Sequence, residues 1–195
     1  MRYDLKIIAD WIKPGSRVLD LGCGNGDLLY NLAMQKQVRG SGIEINEDDV
    51  AACIEKGISV LQGDIDSELS DFPNDAFDYV ILSQTLQQVF SPARVIKQML
   101  RIGKQGIVSF PNFSHWRVRL QLLLTGHAPI TRQLPYEWHE TPNIRVLSIK
   151  DFEAFARQLN FRVINSVSMN HVRDKGRTIR HFENCLAEYG IFLIG

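Results

Sequence analysis

The sequence predicts an α/β protein with a mostly parallel sheet and helices on both faces. Three observations predict it. Short apolar runs alternate with helical periodicities through about residue 110, the pattern of successive βαβ units. A glycine-rich turn, Gly22-Cys23-Gly24-Asn25-Gly26, joins the first strand to the helix after it. An acid follows or ends each of the first three strands: Asp20, Glu44 and Asp64. Right-handed crossovers put the carboxyl ends of such strands on one edge, and ligands bind there.

Each element has a local cause. Residues 3–12 place Leu5, Ile8, Ala9 and Ile12 on one helical face, and Pro14-Gly15 ends that helix. Residues 17–21 form the first strand, and a helix covers about 26–36. The second strand ends at Glu44-Ile45. Asn46 then caps a helix with Glu47, Asp48 and Asp49 in its first turn, where the helix dipole favours acids. Gly57 closes that helix, residues 58–62 make the third strand, and 66–76 read as polar and turn-like. Residues 77–83 form the fourth strand. Pro92 opens a helix with Val95, Ile96, Met99 and Leu100 on its apolar face. Residues 105–110 are the fifth strand. The segment 112–147 breaks the alternation and holds Trp116, Trp138, Pro129, Pro135 and Pro142. A helix over 148–159 follows, then closing strands at 161–164 and 189–194. The stretch 170–185, with His171, Arg173, Lys175, Arg177, Arg180 and His181, reads as a loop or crossover.

The 195 residues suffice for one α/β domain with a sizeable core, and 1–195 is expected to form one. Lys plus Arg equals Asp plus Glu at 22 each, so bulk charge favours neither nucleic acid nor a membrane surface. No apolar run approaches a membrane span. Cys23, Cys53 and Cys185 lie far apart, without the spacing of a zinc site. The start of the chain lacks an apolar signal core, so a cytoplasmic location is expected.

The glycine turn aims backbone N–H groups and a helix N-terminus at one point. Its spacing is Gly22-x-Gly24-x-Gly26, and the third glycine of a dinucleotide fingerprint would fall at Asp27, whose carboxylate would repel a pyrophosphate. No Gly-Lys-Ser/Thr follows, so a Walker phosphate loop is absent. Glu44 stands where an acid accepts both hydroxyls of a ribose. Asp64, or the backbone of Ile65, can meet an adenine edge. Three acids at three strand ends suit a ligand with a cation, a ribose diol and a base. S-adenosylmethionine is such a ligand and carries no phosphate.

Val18-Leu19-Asp20-Leu21-Gly22-Cys23-Gly24-Asn25-Gly26 resembles motif I of class I S-adenosylmethionine-dependent methyltransferases. Glu44, Gly63-Asp64-Ile65 and Phe77-Asp78-Tyr79-Val80-Ile81-Leu82 resemble its next landmarks, in order. Further along, Ser83-Gln84-Thr85-Leu86-Gln87-Gln88-Val89, Phe110-Pro111-Asn112-Phe113 and Pro135-Tyr136-Glu137-Trp138-His139-Glu140-Thr141-Pro142-Asn143-Ile144-Arg145 resemble the bacterial methionine-biosynthesis family MetW. The resemblance implies a Rossmann-like, seven-stranded sheet of order 3-2-1-4-5-7-6. It implies S-adenosylmethionine as cofactor, with S-adenosylhomocysteine as product. The cofactor residues it implies are Asp20, Gly22, Cys23, Gly24, Glu44, Ile45, Asp64, Ile65 and Ser83. It also implies a partner, the homoserine O-acyltransferase MetX, with 112–147 as a lid or docking segment.

No side chain after the fourth strand is an obvious general base, and the catalytic residues stay unassigned. Ser83-Gln84 offers polar contacts only. Two functions therefore compete: a methyltransferase, or a binding protein that changes the activity of the acyltransferase in response to S-adenosylmethionine. A dinucleotide enzyme with an atypical fingerprint is a weaker third. Asp78 reads as a structural acid and Cys23 as a small filler. His139-Glu140 reads as structural or partner-facing, because His115 and His127 lack metal-ligand spacing. Trp116, Trp138 and Tyr136, interleaved with Arg117, Arg119, Arg132 and Arg145, suit a lid, a protein interface or an anion site.

Overall fold

The computed structural model describes residues 2–172 and 175–195. The first half alternates as expected: α1 (Tyr3–Trp11), β1 (Arg17–Leu21), α2 (Asp27–Lys36), β2 (Arg39–Glu44), α3 (Glu47–Glu55) and β3 (Ser59–Gln62). Then come α4 (Ile65–Glu68), a 3₁₀ turn (Leu69–Asp71), β4 (Phe77–Ser83), α5 (Pro92–Ile102) and β5 (Gly103–Pro111). The chain continues with α6 (Trp116–Thr125), α7 (Ile149–Leu159), β6 (Val163–Val172), β7 (Lys175–Ile179), α8 (Glu183–Leu186) and β8 (Tyr189–Ile194).

The sheet order is β3-β2-β1-β4-β5-β8-β6-β7. β3, β2, β1, β4 and β5 are parallel, while β8 runs antiparallel between β5 and β6. This is the expected 3-2-1-4-5-7-6 arrangement with one strand more, eight in place of seven. The extra strand, β7, lies within the 170–185 stretch expected to be a loop. It pairs antiparallel with the second half of β6, itself much longer than the expected 161–164. Thr178 and Ile179 suit a strand, and the exposed Arg177 suits a sheet edge, where charge discourages pairing with another chain. Arg173 lies outside the described residues. The 66–76 stretch, expected to be turn-like, is helical as far as Asp71, because Asp64 caps α4, its Oδ1 accepting from the Asp66 N–H at 2.9 Å.

Strand alternation sorts the core into two layers. Leu19, Leu21, Val80 and Leu82 pack with Val95, Ile96 and Met99 of α5 and Phe152 of α7. Val18, Tyr79 and Ile81 face the other way, onto Ile8 and Ile12 of the α1 region and Leu28, Leu29 and Leu32 of α2. Each fully buried Leu or Ile contributes about 1.5–3 kcal/mol. The resulting rigid slab holds the carboxyl ends of β1 to β5 side by side. At the opposite edge, Asp78 accepts from the Arg17 N–H at 2.9 Å and pairs with Lys104 at 2.8 Å. These bonds, the Arg17 N–H first, hold its carboxyl below the ordinary range. Asp78 is thus a structural acid, remote from the strand ends that form the site.

Candidate functional site

At the carboxyl edge, the Gly22 and Cys23 N–H groups both donate to the Ile43 carbonyl, at 2.8 and 3.2 Å. This ties the glycine turn to β2. Gly22 has φ +72°, and a Cβ there would lie 2.8 Å from Thr85 Oγ1, so only glycine lets the turn touch the loop after β4. Gly24, at φ +53°, faces open space instead. Lys56 of the α3 end anchors the turn from outside, donating to the Asn25 carbonyl and pairing with Asp27 at 2.6 Å.

Glu44 is buried, and its carboxylate is held by three backbone donors. Gly24 N–H reaches Oε2 at 2.8 Å, and the Ile45 and Asn46 N–H groups reach Oε1 at 2.8 and 3.0 Å. A carboxylate offers about four acceptor positions, so about one remains for a ligand hydroxyl. Asp20 is 3% exposed, and its Oδ1 has no partner. Burial, with help from Glu44, raises its carboxyl to about 7, against the opposing charge of Arg2. A buried, unpartnered acid of this kind matches a ligand cation.

Above the turn lies a cavity of about 580 Å³. Of the residues expected at the cofactor, Gly22, Glu44, Ile45, Asp64, Ile65 and Ser83 line it. Asp20, Cys23 and Gly24 do not. The Cys23 thiol turns away, toward Cys53, with the two sulfurs 3.8 Å apart. Burial pushes the Cys23 thiol far above its usual range, so it is an inert filler. The set fits S-adenosylmethionine on three counts: the unpartnered Asp20 oxygen, the open face of Gly24, and the fixed carboxylate of Glu44.

Several lining residues lie outside the set expected at the cofactor. Asp66 accepts from the Phe90 and Ser91 N–H groups at 2.9 and 3.3 Å, joining α4 to the loop after β4. Gln84, next after β4, adopts φ +61°, rare for a side-chain-bearing residue and common at functional sites. Its Nε2 has no partner. Residues 112–147 supply the far wall through Arg132, Gln133, Pro135, Tyr136 and Asn143. The Ile144 and Arg145 N–H groups donate to the Gln87 carbonyl, both at 3.0 Å, and the Arg145 guanidinium reaches the Phe90 carbonyl at 2.7 Å. The expected aromatic cluster therefore divides. Tyr136 lines the cavity, whereas Trp138 is 74% exposed and Trp116 stacks under Arg117, 5.3 Å from its ring centre. Among the described residues no histidine lines the cavity. His115 is buried as the N-cap of α6, and burial lowers its pKa. His139 and Glu140 are exposed, and among the described residues no cluster of His, Cys, Asp and Glu could hold a metal.

The architecture is that of the class I S-adenosylmethionine-dependent methyltransferases. A S-adenosylmethionine-dependent methyltransferase from Mesorhizobium loti superposes with a TM-score of 0.71 at 16% identity, covering 97% of this chain and 94% of that one. One from Archaeoglobus fulgidus gives 0.70 at 15% identity, covering 97% and 90%. The chain belongs to the family described as methionine biosynthesis protein MetW, whose sequence model matches residues 2–194. The bifunctional methionine biosynthesis protein MetXA/MetW of Rhodopirellula baltica is 36% identical over 82% of this chain. The ubiquinone biosynthesis O-methyltransferase of Hahella chejuensis is 29% identical over 65% of it. The chain spans 27% of the first relative's length and 56% of the second's. Among the described residues no helix is long and apolar enough to cross a membrane.

Proposed function

We propose that this chain binds S-adenosylmethionine and S-adenosylhomocysteine at the glycine turn and acts in methionine synthesis beside a homoserine O-acyltransferase of the MetX type. The observation that carries the cofactor reading is the buried, unpartnered Asp20 oxygen beside the fixed Glu44 carboxylate. Asp20 would meet the cationic end, Glu44 a ribose hydroxyl, and Ile45, Asp64 and Ile65 the adenine. Gly22, Gly24 and Ser83 complete the floor, with Cys23 contributing backbone only. When bound, the cofactor supplies an activated methyl group on a sulfonium. The chain's own task is then to align an acceptor and exclude water. Residues 1–195 act as one methyltransferase-like domain in which 112–147 closes over the cavity. Calorimetric titration with S-adenosylhomocysteine and with NAD tests the cofactor. Binding of NAD alone, or of neither, ends this reading.

The partner is supported by the bifunctional relative, in which a MetXA name and a MetW name share one protein. A second reading, a regulatory subunit that senses S-adenosylmethionine, is favoured by one feature. Leu120, Leu123 and Leu124 of α6 lie on one helical face at i, i+3 and i+4 and are 42%, 81% and 72% exposed. Aliphatic side chains left in water in this way suit a protein interface. Co-purification with the acyltransferase, and its activity across a range of S-adenosylmethionine, tests both roles. Absence of association and of any change in activity rejects them.

A further inference from the structure

The cavity lining mixes acids with cations and amides. Glu44, Asp64 and Asp66 line the side made by β2, β3 and α4. Arg2, Arg132, Gln84 and Gln133 line the cavity as well and bring cations and amide donors. Arg132 and Gln133 occupy the tip of a tight turn, closed by reciprocal backbone bonds between Thr131 and Leu134 at 2.9 and 3.2 Å. Leu134 is buried and seats the turn. Arg132 makes no ion pair among the described residues, whereas Arg2 is paired with Asp4 at 3.1 Å. Gln133 is 8% exposed, yet its Nε2 has no hydrogen-bond partner. Gln84 Nε2 is also buried without one, on a backbone at φ +61°.

A buried N–H left unpaired is costly, so two among the residues of one cavity imply a ligand that supplies acceptor oxygens. An unpaired guanidinium beside them implies that those oxygens carry negative charge. An ammonium group would be repelled by this wall. We propose that Gln84, Arg132 and Gln133 form the acceptor subsite, and that the methyl acceptor is a small carboxylic acid methylated on a carboxylate oxygen. This rests on the cofactor reading above.

The chemistry balances without a proton. A carboxylate oxygen gives the electron pair of the new C–O bond, the S–CH₃ bond breaks with its pair on sulfur, and the two charges cancel. A carboxylate is already ionised at neutral pH, so no general base is required. The lining accords with this. Tyr189, which borders the same cavity, is pushed up to about 12, mainly by burial, and stays protonated.

The test uses the intact protein saturated with S-adenosylhomocysteine and titrated with succinate and with succinamide. Succinate is expected to bind at least about tenfold more tightly. Arg132→Ala and Gln133→Leu should each remove most of that preference, Arg132→Lys should restore part of it, and S-adenosylhomocysteine affinity should stay unchanged. In parallel, methyl-labelled S-adenosylmethionine is incubated with a deproteinised bacterial small-molecule extract. A carboxyl methyl ester releases its label as volatile methanol in base. Equal affinity for acid and amide, or label that is absent or stable to base, overturns the acceptor subsite while S-adenosylhomocysteine still binds. Failure of the native protein to bind S-adenosylhomocysteine overturns the cofactor reading instead.

Discussion

The Gly24 N–H donates to Glu44 Oε2 at 2.8 Å, across 20 residues of chain. This bond couples the glycine turn to the acid at the end of the neighbouring strand. The same carboxylate therefore shapes the turn and faces the cavity. Glu44→Ala should remove both functions, weakening S-adenosylhomocysteine binding at least tenfold and lowering the melting temperature. Charge-assisted hydrogen bonds of this kind are worth about 1.5–3 kcal/mol each. Glu44→Gln should be nearly as harmful, since its NH₂ group would face backbone donors. Calorimetry and thermal melts on both variants check this.

Asp20 should make binding of the proposed ligand depend on pH. Its folded carboxyl holds a proton up to about 7, whereas the unfolded value is near 3.8. The folded state thus binds more protons between these values, so this group's contribution to stability falls as pH rises from about 4 to about 7. The α-ammonium group shared by S-adenosylmethionine and S-adenosylhomocysteine prefers the ionised form. The ionised fraction rises about tenfold between pH 6 and pH 8, and S-adenosylhomocysteine affinity should rise with it. Asp20→Asn should flatten both profiles. A pH-independent affinity in the native protein would contradict the assignment.

Gly22 and Thr85 should show coupled stability. Gly22→Ala places a Cβ 2.8 Å from Thr85 Oγ1 and keeps φ +72°. The left-handed backbone alone costs about 1–2 kcal/mol. Thr85→Ala should relieve the contact and recover part of the loss in the double variant. Denaturant melts of the four proteins in the cycle measure the coupling. Additive losses would mean that the turn and the loop after β4 do not touch.

Asp78 should affect stability alone. It accepts from the Arg17 N–H and from Lys104 at the amino end of the sheet. Asp78→Ala should cost about 1–2 kcal/mol, with S-adenosylhomocysteine affinity unchanged. A loss of binding would show that this edge communicates with the cavity.

The exposed leucines of α6 should matter to association and little to folding. Replacing Leu120, Leu123 and Leu124 by Ser removes little buried packing, most of it at Leu120, so the melting temperature should fall only slightly. Co-purification with the acyltransferase should fall. Retained association would direct attention away from this helix.

The helices and strands through β5 were legible because their periodicities are local, and the glycine turn and strand-end acids were legible because their spacing is short. The β7 strand was not, because its polar, basic residues resemble a loop until β6 provides a partner. Helix α4 was missed because four residues carry too little periodicity, though Asp64 before it was a capping signal. Gln133 drew no notice, since an amide in an irregular segment has no local signature.

By itself, the sequence determined the α/β class, the motif family and the glycine turn with its strand-end acids, all encoded by patterns within a few residues. The tertiary structure alone decided which residues of 112–147 turn inward. It folded Arg132 and Gln133 over the cavity and left the leucines of α6 in water. That division depends on long-range packing, in which a buried Leu134 and the bonds from Ile144 and Arg145 to Gln87 fix the wall in place. No periodicity along the chain records such contacts, because their partners lie tens of residues apart.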